Sequence, residues 1–321
     1  MHAMFIWLSL FVLMLGQDAC AAGRRVPGSE APGHCYVPGD RLDIRLWEGP
    51  APGAVGDDPC RDIPHLRIYP AAAAAGNGDS AAIVLLPGGG YDRLTNEKEQ
   101  APVAQYFSRT LNITTFVLYY RLVQADGTYR YPVPMWDGQR ALRLIRHRAR
   151  ELHIDADRLG VFGFSAGGHL ASMLALRAQD SFGLPPADAI DAVSSDVAML
   201  GLGYPVLSME LAAHGKSQSR SHLLRGYGGA QLQQLERELS AQYLVSARTP
   251  PVFLFVSMDD QRIDPANSVL LADALKAAGA TADIHLFAHG AHGVGLATTM
   301  AEEQVWPALF GAWLARIHFI K

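Results

Sequence analysis

The sequence predicts an α/β chain built on a mostly parallel central sheet, flanked by helices and carrying a small cap insertion. Three observations carry that expectation. From residue 81 onward, apolar runs of strand length alternate with stretches of helical periodicity. Two of the apolar runs end in glycine-rich turns, Pro87-Gly88-Gly89-Gly90-Tyr91 and Gly163-Phe164-Ser165-Ala166-Gly167. The 321 residues are 49% hydrophobic and 18% charged, which suits one large globular core rather than a disordered or fibrous chain.

The first residues differ from the rest. Phe5 to Leu15 is an almost unbroken apolar run of signal-peptide length, short for a membrane span, and Ala19-Cys20-Ala21-Ala22 supplies small residues for cleavage. Residues 1–22 are therefore expected to be a signal peptide and the mature protein periplasmic or secreted, with no stable membrane partner unless the segment stays uncleaved. No Lys or Arg precedes the run and Gln17-Asp18 is a poor lipoprotein signal ahead of Cys20, so a lipid anchor is the weaker reading. Loss of Cys20 leaves Cys35 and Cys60, for which a disulfide and two free thiols stand equally open.

Residues 23–60, rich in Gly, Pro and Asp, read as an arm over the domain, with Leu42 to Leu46 as its strand candidate. The catalytic domain is expected over 61–321. Leu66 to Tyr69 alternates like an edge strand and a low-complexity loop joins it to the buried strand Ala81 to Leu86, which suggests a first hairpin. Glu97 to Leu111 has helical spacing, Ile113 to Tyr120 is β-branched and aromatic, and Met135 to Leu152 is a long helix after Pro132 and Pro134. The run Arg158 to Phe162 feeds the second glycine turn, and Gly168 to Arg177 has helical spacing again. Val197 to Gly203 is the next strand. Residues 207–249, polar and interrupted by glycines, read as the cap, with a helix near Gln231 to Ser240. Pro251 to Val256 resumes the sheet, Asn267 to Ala278 is a helix stopped by Gly279, Ala282 to Phe287 is the last strand, and Ala301 to Ile317 closes the chain with Pro307 in its length.

Gly163-Phe164-Ser165-Ala166-Gly167 is a weak signal by itself, but here it sits between a strand and a helix, the setting in which a G-x-S-x-G turn exposes a serine nucleophile. A serine hydroxyl reacts only when an imidazole takes its proton and a carboxylate orients that imidazole. Both types follow later strands, as Ser257-Met258-Asp259-Asp260 and His289-Gly290-Ala291-His292-Gly293, in the order Ser, acid, His. Asp259 is preferred to Asp260 because it comes first after the strand, and His292 to His289 because it lies farther into the glycine-rich loop. Backbone amides of Gly89, Gly90 and Ala166 are the oxyanion candidates. Tyr91 is the substrate-binding candidate, through its N–H or its ring, and His169 is expected to hydrogen-bond beneath the glycine loop.

These motifs, together with Trp47 to Ala54 and Tyr120-Arg121-Leu122, resemble the α/β-hydrolase esterases related to hormone-sensitive lipase, in particular a bacterial carbohydrate acetyl-esterase and xylanase-like branch. The likeness runs from about residue 42 to the C-terminus and departs at Pro87, where the broader group has His. It implies Ser165, Asp259 and His292 as the triad and Gly89, Gly90 and Ala166 as oxyanion donors. It also implies a secreted serine esterase that removes acetyl or other short acyl groups from plant-type poly- or oligosaccharides such as xylan, through an acyl-enzyme. The alternatives are an arylformamidase or peptidase-like hydrolase on the same fold, or a catalytically silent carbohydrate-binding protein.

A formal charge of -4 gives no reason to expect nucleic acid as a partner, and the Arg140 to Arg150 cluster reads as a solvated helix face. No lysine of a phosphate loop follows the first glycine turn, and no zinc-type Cys/His spacing occurs, so no cofactor or metal is expected. The resemblance implies an acylated carbohydrate or small ester substrate as the partner.

Overall fold

A computed structural model describes residues 35–72, 79–95, 98–212 and 217–320, so the expected signal peptide lies outside the described residues. Eight strands form one sheet: β1 (Asp43–Arg45), β2 (His65–Tyr69), β3 (Ser80–Leu86), β4 (Thr114–Tyr119), β5 (Ile154–Phe164), β6 (Leu200–Gly203), β7 (Val252–Ser257) and β8 (Ala282–Phe287). Their spatial order is β1-β2-β4-β3-β5-β6-β7-β8. The β1–β2 and β2–β4 pairs are antiparallel and all pairs from β4 to β8 are parallel, as the alternation of strands and helices requires.

Two expectations about the first strands are corrected. β2 is not an edge, because β1 from the arm pairs with it, and Arg67 reaches Asp43 across that pair at 2.9 Å. Nor do β2 and β3 form a hairpin: β4 lies between them. The reason is burial. Every residue of β3 is buried, so it needs a covered neighbour on both sides, and helix α1 (Ala101–Arg109) carries the chain over from β3 to β4 in the usual parallel crossover.

One face of the sheet holds an aromatic cluster. Phe162 of β5 lies 5.4 Å from Phe107 of α1 and 5.5 Å from Trp306, and Phe255 of β7 stacks on Trp306 at 4.7 Å between ring centroids. Between them β6 presents Gly201 and Gly203, where a Cβ would sit 2.2 Å from the Phe162 ring and 2.5 Å from that of Phe164. Bare backbone on β6 is what admits the rings. Trp306 opens α8 (Trp306–Arg316), so Pro307 occupies the first turn, where its missing N–H breaks no bond; the closing helix starts later than its periodicity suggests, after a short 3₁₀ turn at Glu303–Val305.

Elsewhere, α2 (Val133–His147) packs on α3 (Ser165–Leu176), with Gly138 seated against Leu174. Arg121, just past β4, is fully buried against Asp137 of α2 at 2.7 Å and lies over the rings of Trp47 and Tyr129. The segment between β6 and β7 carries α4 (Met209–Ala212), α5 (Ser219–Leu223) and α6 (Gly229–Glu238). After β7, α7 (Ala266–Ala278) ends at Gly279, whose φ of 67° is the left-handed stop. Cys35 and Cys60 are joined by a disulfide.

Candidate active site

Ser165 stands where β5 turns into α3, with φ at 51°, a conformation that non-glycine residues avoid. The flanking glycines make the turn possible. A Cβ on Gly163 would meet the carbonyl oxygen of Gly167 at 2.2 Å, and one on Gly167 would meet that of Leu86 at 2.1 Å. The turn therefore presses the serine against the end of β3.

His292, in the loop after β8, has Nε2 2.9 Å from Ser165 Oγ and Nδ1 2.8 Å from Asp260 Oδ2. Because the carboxylate only accepts, Nδ1 carries the hydrogen and Nε2 is left to accept from the serine hydroxyl. The carboxylate facing the imidazole is thus Asp260, which corrects the choice of Asp259. Asp259 turns outward to His289 at 3.2 Å and to the Gly290 N–H at 2.9 Å. Exposure separates the two pairs: the side chains of His289 and Asp259 are 79% and 44% accessible, those of His292 and Asp260 11% and 1%. The turn after β7 explains the selection. Asp260 Oδ1 accepts from the Arg262 and Ile263 N–H groups, which fixes its carboxyl inward while Ile263 buries itself in the core. Burial opposes its ionisation, but the bonds from His292, Ile263 and Arg262 outweigh that and hold the Asp260 carboxyl below its usual range.

The glycine loop lies directly on the nucleophile: a Cβ on Gly88 would fall 2.9 Å from that of Ser165. Gly89 and Gly90 follow with φ of 124° and 70°. Among the described residues no group accepts from either N–H. Ala166, in the first turn of α3, has an N–H that no intrahelical carbonyl can accept. Tyr91, expected to face substrate, does not. Its side chain is fully buried and its hydroxyl lies 2.6 Å from His169 Nδ1. His169 Nε2 in turn donates to the Leu239 carbonyl at the end of α6, at 2.8 Å. Burial lowers the His169 pKa to about 4 against the opposing pull of that carbonyl, so the ring is neutral and accepts from Tyr91. A polar ring of this kind is placed under the loop because the phenol needs a buried acceptor, which leaves Tyr91 structural.

Three further polar groups around the site had no distinguishing sequence signal. Glu99, buried ahead of α1, accepts from the Gly88 N–H at 2.7 Å and from the Tyr204 hydroxyl at 2.9 Å, and burial raises its pKa against those bonds. Glu303 accepts from Ser257 at 2.6 Å and from the Ala291 N–H at 3.1 Å, which pins the loop carrying His292. His222 of α5 donates from Nδ1 to the Gly90 carbonyl at 2.9 Å, tying the cap segment to the glycine loop. Among the described residues, no group of three or more His, Cys, Asp or Glu is arranged to hold a metal ion.

A serine, an imidazole and a carboxylate in this order can support nucleophilic acyl transfer, and the comparisons with known proteins are as follows. The chain is 29% identical over 243 residues to an acetylxylan esterase of Xylanibacter ruminicola, covering 75% of this chain and 46% of that protein. It is 30% identical over 221 residues to endo-1,4-beta-xylanase B of Butyrivibrio fibrisolvens, covering 67% of this chain and 32% of that protein. It thus spans about half or less of these relatives' own length. The crystal structure of an acetyl ester-xyloside bifunctional hydrolase from Caldicellulosiruptor lactoaceticus superposes with a TM-score of 0.76 at 34% identity, over 91% of this chain and all of that one. The fold is that of the α/β-hydrolases. The BD-FAE family profile matches residues 66–275, and the chain belongs to the BD-FAE family.

Proposed function

We propose that this protein is an exported serine esterase that removes acetyl or other short acyl groups from acylated poly- or oligosaccharides, of which acetylated xylan is the leading candidate. The observation that carries the reading is the unbroken line of hydrogen bonds from Asp260 through His292 to Ser165, at 2.8 and 2.9 Å, beside the Gly89 and Gly90 amides, which have no acceptor among the described residues. The substrate class rests on the names of the relatives above. Export rests on the apolar run Phe5 to Leu15 and on the size of such polymers, which do not enter a cell.

In this mechanism Ser165 Oγ attacks the ester carbonyl carbon while its proton passes to His292 Nε2. The carbonyl oxygen becomes an oxyanion facing the N–H groups of Gly89, Gly90 and Ala166, and Asp260 stabilises the imidazolium through Nδ1–H. Collapse of the tetrahedral intermediate breaks the bond to the sugar oxygen, which takes the proton from His292 and leaves as an alcohol. Water then attacks the acyl-serine, gives its proton to His292, and a second collapse releases the acid and returns the proton to Ser165.

The test is hydrolysis of 4-nitrophenyl acetate and acetate release from acetylated xylan by the purified chain and by Ser165→Ala. The variant is expected to lose about 10⁴-fold or more in kcat on both substrates. Equal rates in the two proteins would end the reading.

A further inference from the structure

Two groups that the mechanism leaves idle lie between its working parts. Glu99 is completely enclosed, and among the described residues no Lys or Arg forms an ion pair with it. A lone buried carboxylate is unfavourable unless its oxygens are used. Here each has a donor: Oε2 takes the Gly88 N–H and Oε1 the Tyr204 hydroxyl. Thr95, Tyr120, Tyr204 and His292 are the other polar or titratable groups that face it, from the glycine loop, the end of β4, the turn after β6 and the loop after β8.

Tyr204 carries the connection onward. Its oxygen accepts the Gly295 N–H at 3.0 Å, three residues beyond His292, and its ring meets the His292 imidazole edge to face with 4.9 Å between centroids. The ring cannot drift, because it stacks on Phe164, the neighbour of the nucleophile, at 5.3 Å. One carboxylate thus grips the amide next to the oxyanion candidates with one oxygen, and with the other holds the tyrosine that flanks the base. Gly88 itself abuts Ser165, so both ends of the grip terminate on reacting parts.

We propose that Glu99 is a positioning residue of the hydrolytic reaction inferred above, on which this proposal rests: it sets the glycine loop against Ser165 through Gly88 and sets His292 through Tyr204. Asp260 acts on Nδ1 and Glu99 acts from the far side of the Tyr204 ring. A spacer that only filled volume would have no use for two acceptor oxygens aimed at Gly88 and Tyr204. Glutamine in its place keeps an acceptor for Gly88 and offers an N–H to the Tyr204 oxygen, while the charge is lost.

The experiment compares wild type, Glu99→Gln, Tyr204→Phe and Ser165→Ala in 4-nitrophenyl acetate hydrolysis, with thermal unfolding as a check on folding. Glu99→Gln is expected to lower kcat about 10- to 100-fold with KM changed less than about threefold, since orientation is lost rather than ground-state binding. Tyr204→Phe is expected to lower kcat in the same sense by a smaller factor. Wild-type kcat in Glu99→Gln overturns the proposal. If Glu99→Gln does not fold, Tyr204→Phe decides alone, and wild-type kcat in it also overturns the proposal. A wild-type rate in Ser165→Ala is a separate result: it removes the esterase reading itself.

Discussion

Two adjacent aspartates follow β7, and their side chains part company: Asp260 turns in to His292 and Asp259 turns out to His289. This makes a sharp test at the scale of a single residue. Asp260→Asn is expected to lower kcat about 10⁴-fold, because an amide at that position lets the imidazole settle in the wrong tautomer. Asp259→Asn is expected to stay within about threefold of wild type, its carboxyl being exposed and bonded to an exposed histidine and to the Gly290 N–H, for which the amide oxygen remains an acceptor. Steady-state kinetics on 4-nitrophenyl acetate separate the two, and the reverse ranking would remove Asp260 from the triad. The contact between Ser165 and His292 was legible because glycines on either side of each residue announce a turn with a side chain at its apex. The choice of acid was not, since strand alternation stops at Ser257 and the direction of each carboxyl is set by local turn bonds to Arg262 and Ile263 that composition does not reveal. Tyr91 was misjudged for a related reason. A tyrosine after a glycine loop reads the same whether its ring faces substrate or the core, and only the hydroxyl's partner, His169, decides.

At the scale of an element, the join between β5 and α3 has no spare volume. Gly167→Ala is expected to abolish activity and to lower the melting temperature, because the added methyl would lie 2.1 Å from the Leu86 carbonyl oxygen and must displace either β3 or the serine turn. A variant that melts and works like wild type would show that the turn is looser than its geometry. The same helix carries His169, whose pKa falls to about 4 from 6.5 on burial. A base whose folded pKa is depressed is neutral in the native state while the unfolded chain takes up a proton. Its share of stability is therefore whole above about pH 6.5 and drains away as pH falls toward about 4. Urea unfolding is expected to show a loss from this group on the order of 2 kcal/mol between about pH 7 and about pH 5, and His169→Gln is expected to flatten that slope. Parallel strands β3 to β8 were legible from their apolar runs, whereas the partner of β2 was not. Chain proximity favours a hairpin with β3, but β3 needs covered neighbours on both sides and takes β4 and β5 instead.

Across the whole molecule, the arm is tied in at several points. It gives the sheet its first strand, donates from the Val55 N–H to the Tyr129 hydroxyl, and is closed by the Cys35–Cys60 disulfide over 25 residues. Reduction of that bond is expected to cost about 3 kcal/mol of stability on loop-entropy grounds, read as a lower melting temperature with reductant present. An unchanged melting temperature would mean that the arm is held by its hydrogen bonds alone. The groups assigned to acyl transfer come from the ends of β3, β5, β7 and β8, strands scattered over more than half the chain yet lined up at one rim of the sheet. No single segment owns the chemistry. A chain cut before residue 292 would lose not only the imidazole that takes the serine proton but also Trp306 and Phe310, the rings against which Phe162 packs. Turnover during refolding should accordingly be the last signal to return, after fluorescence and secondary structure, a stopwatch for the arrival of the final strand.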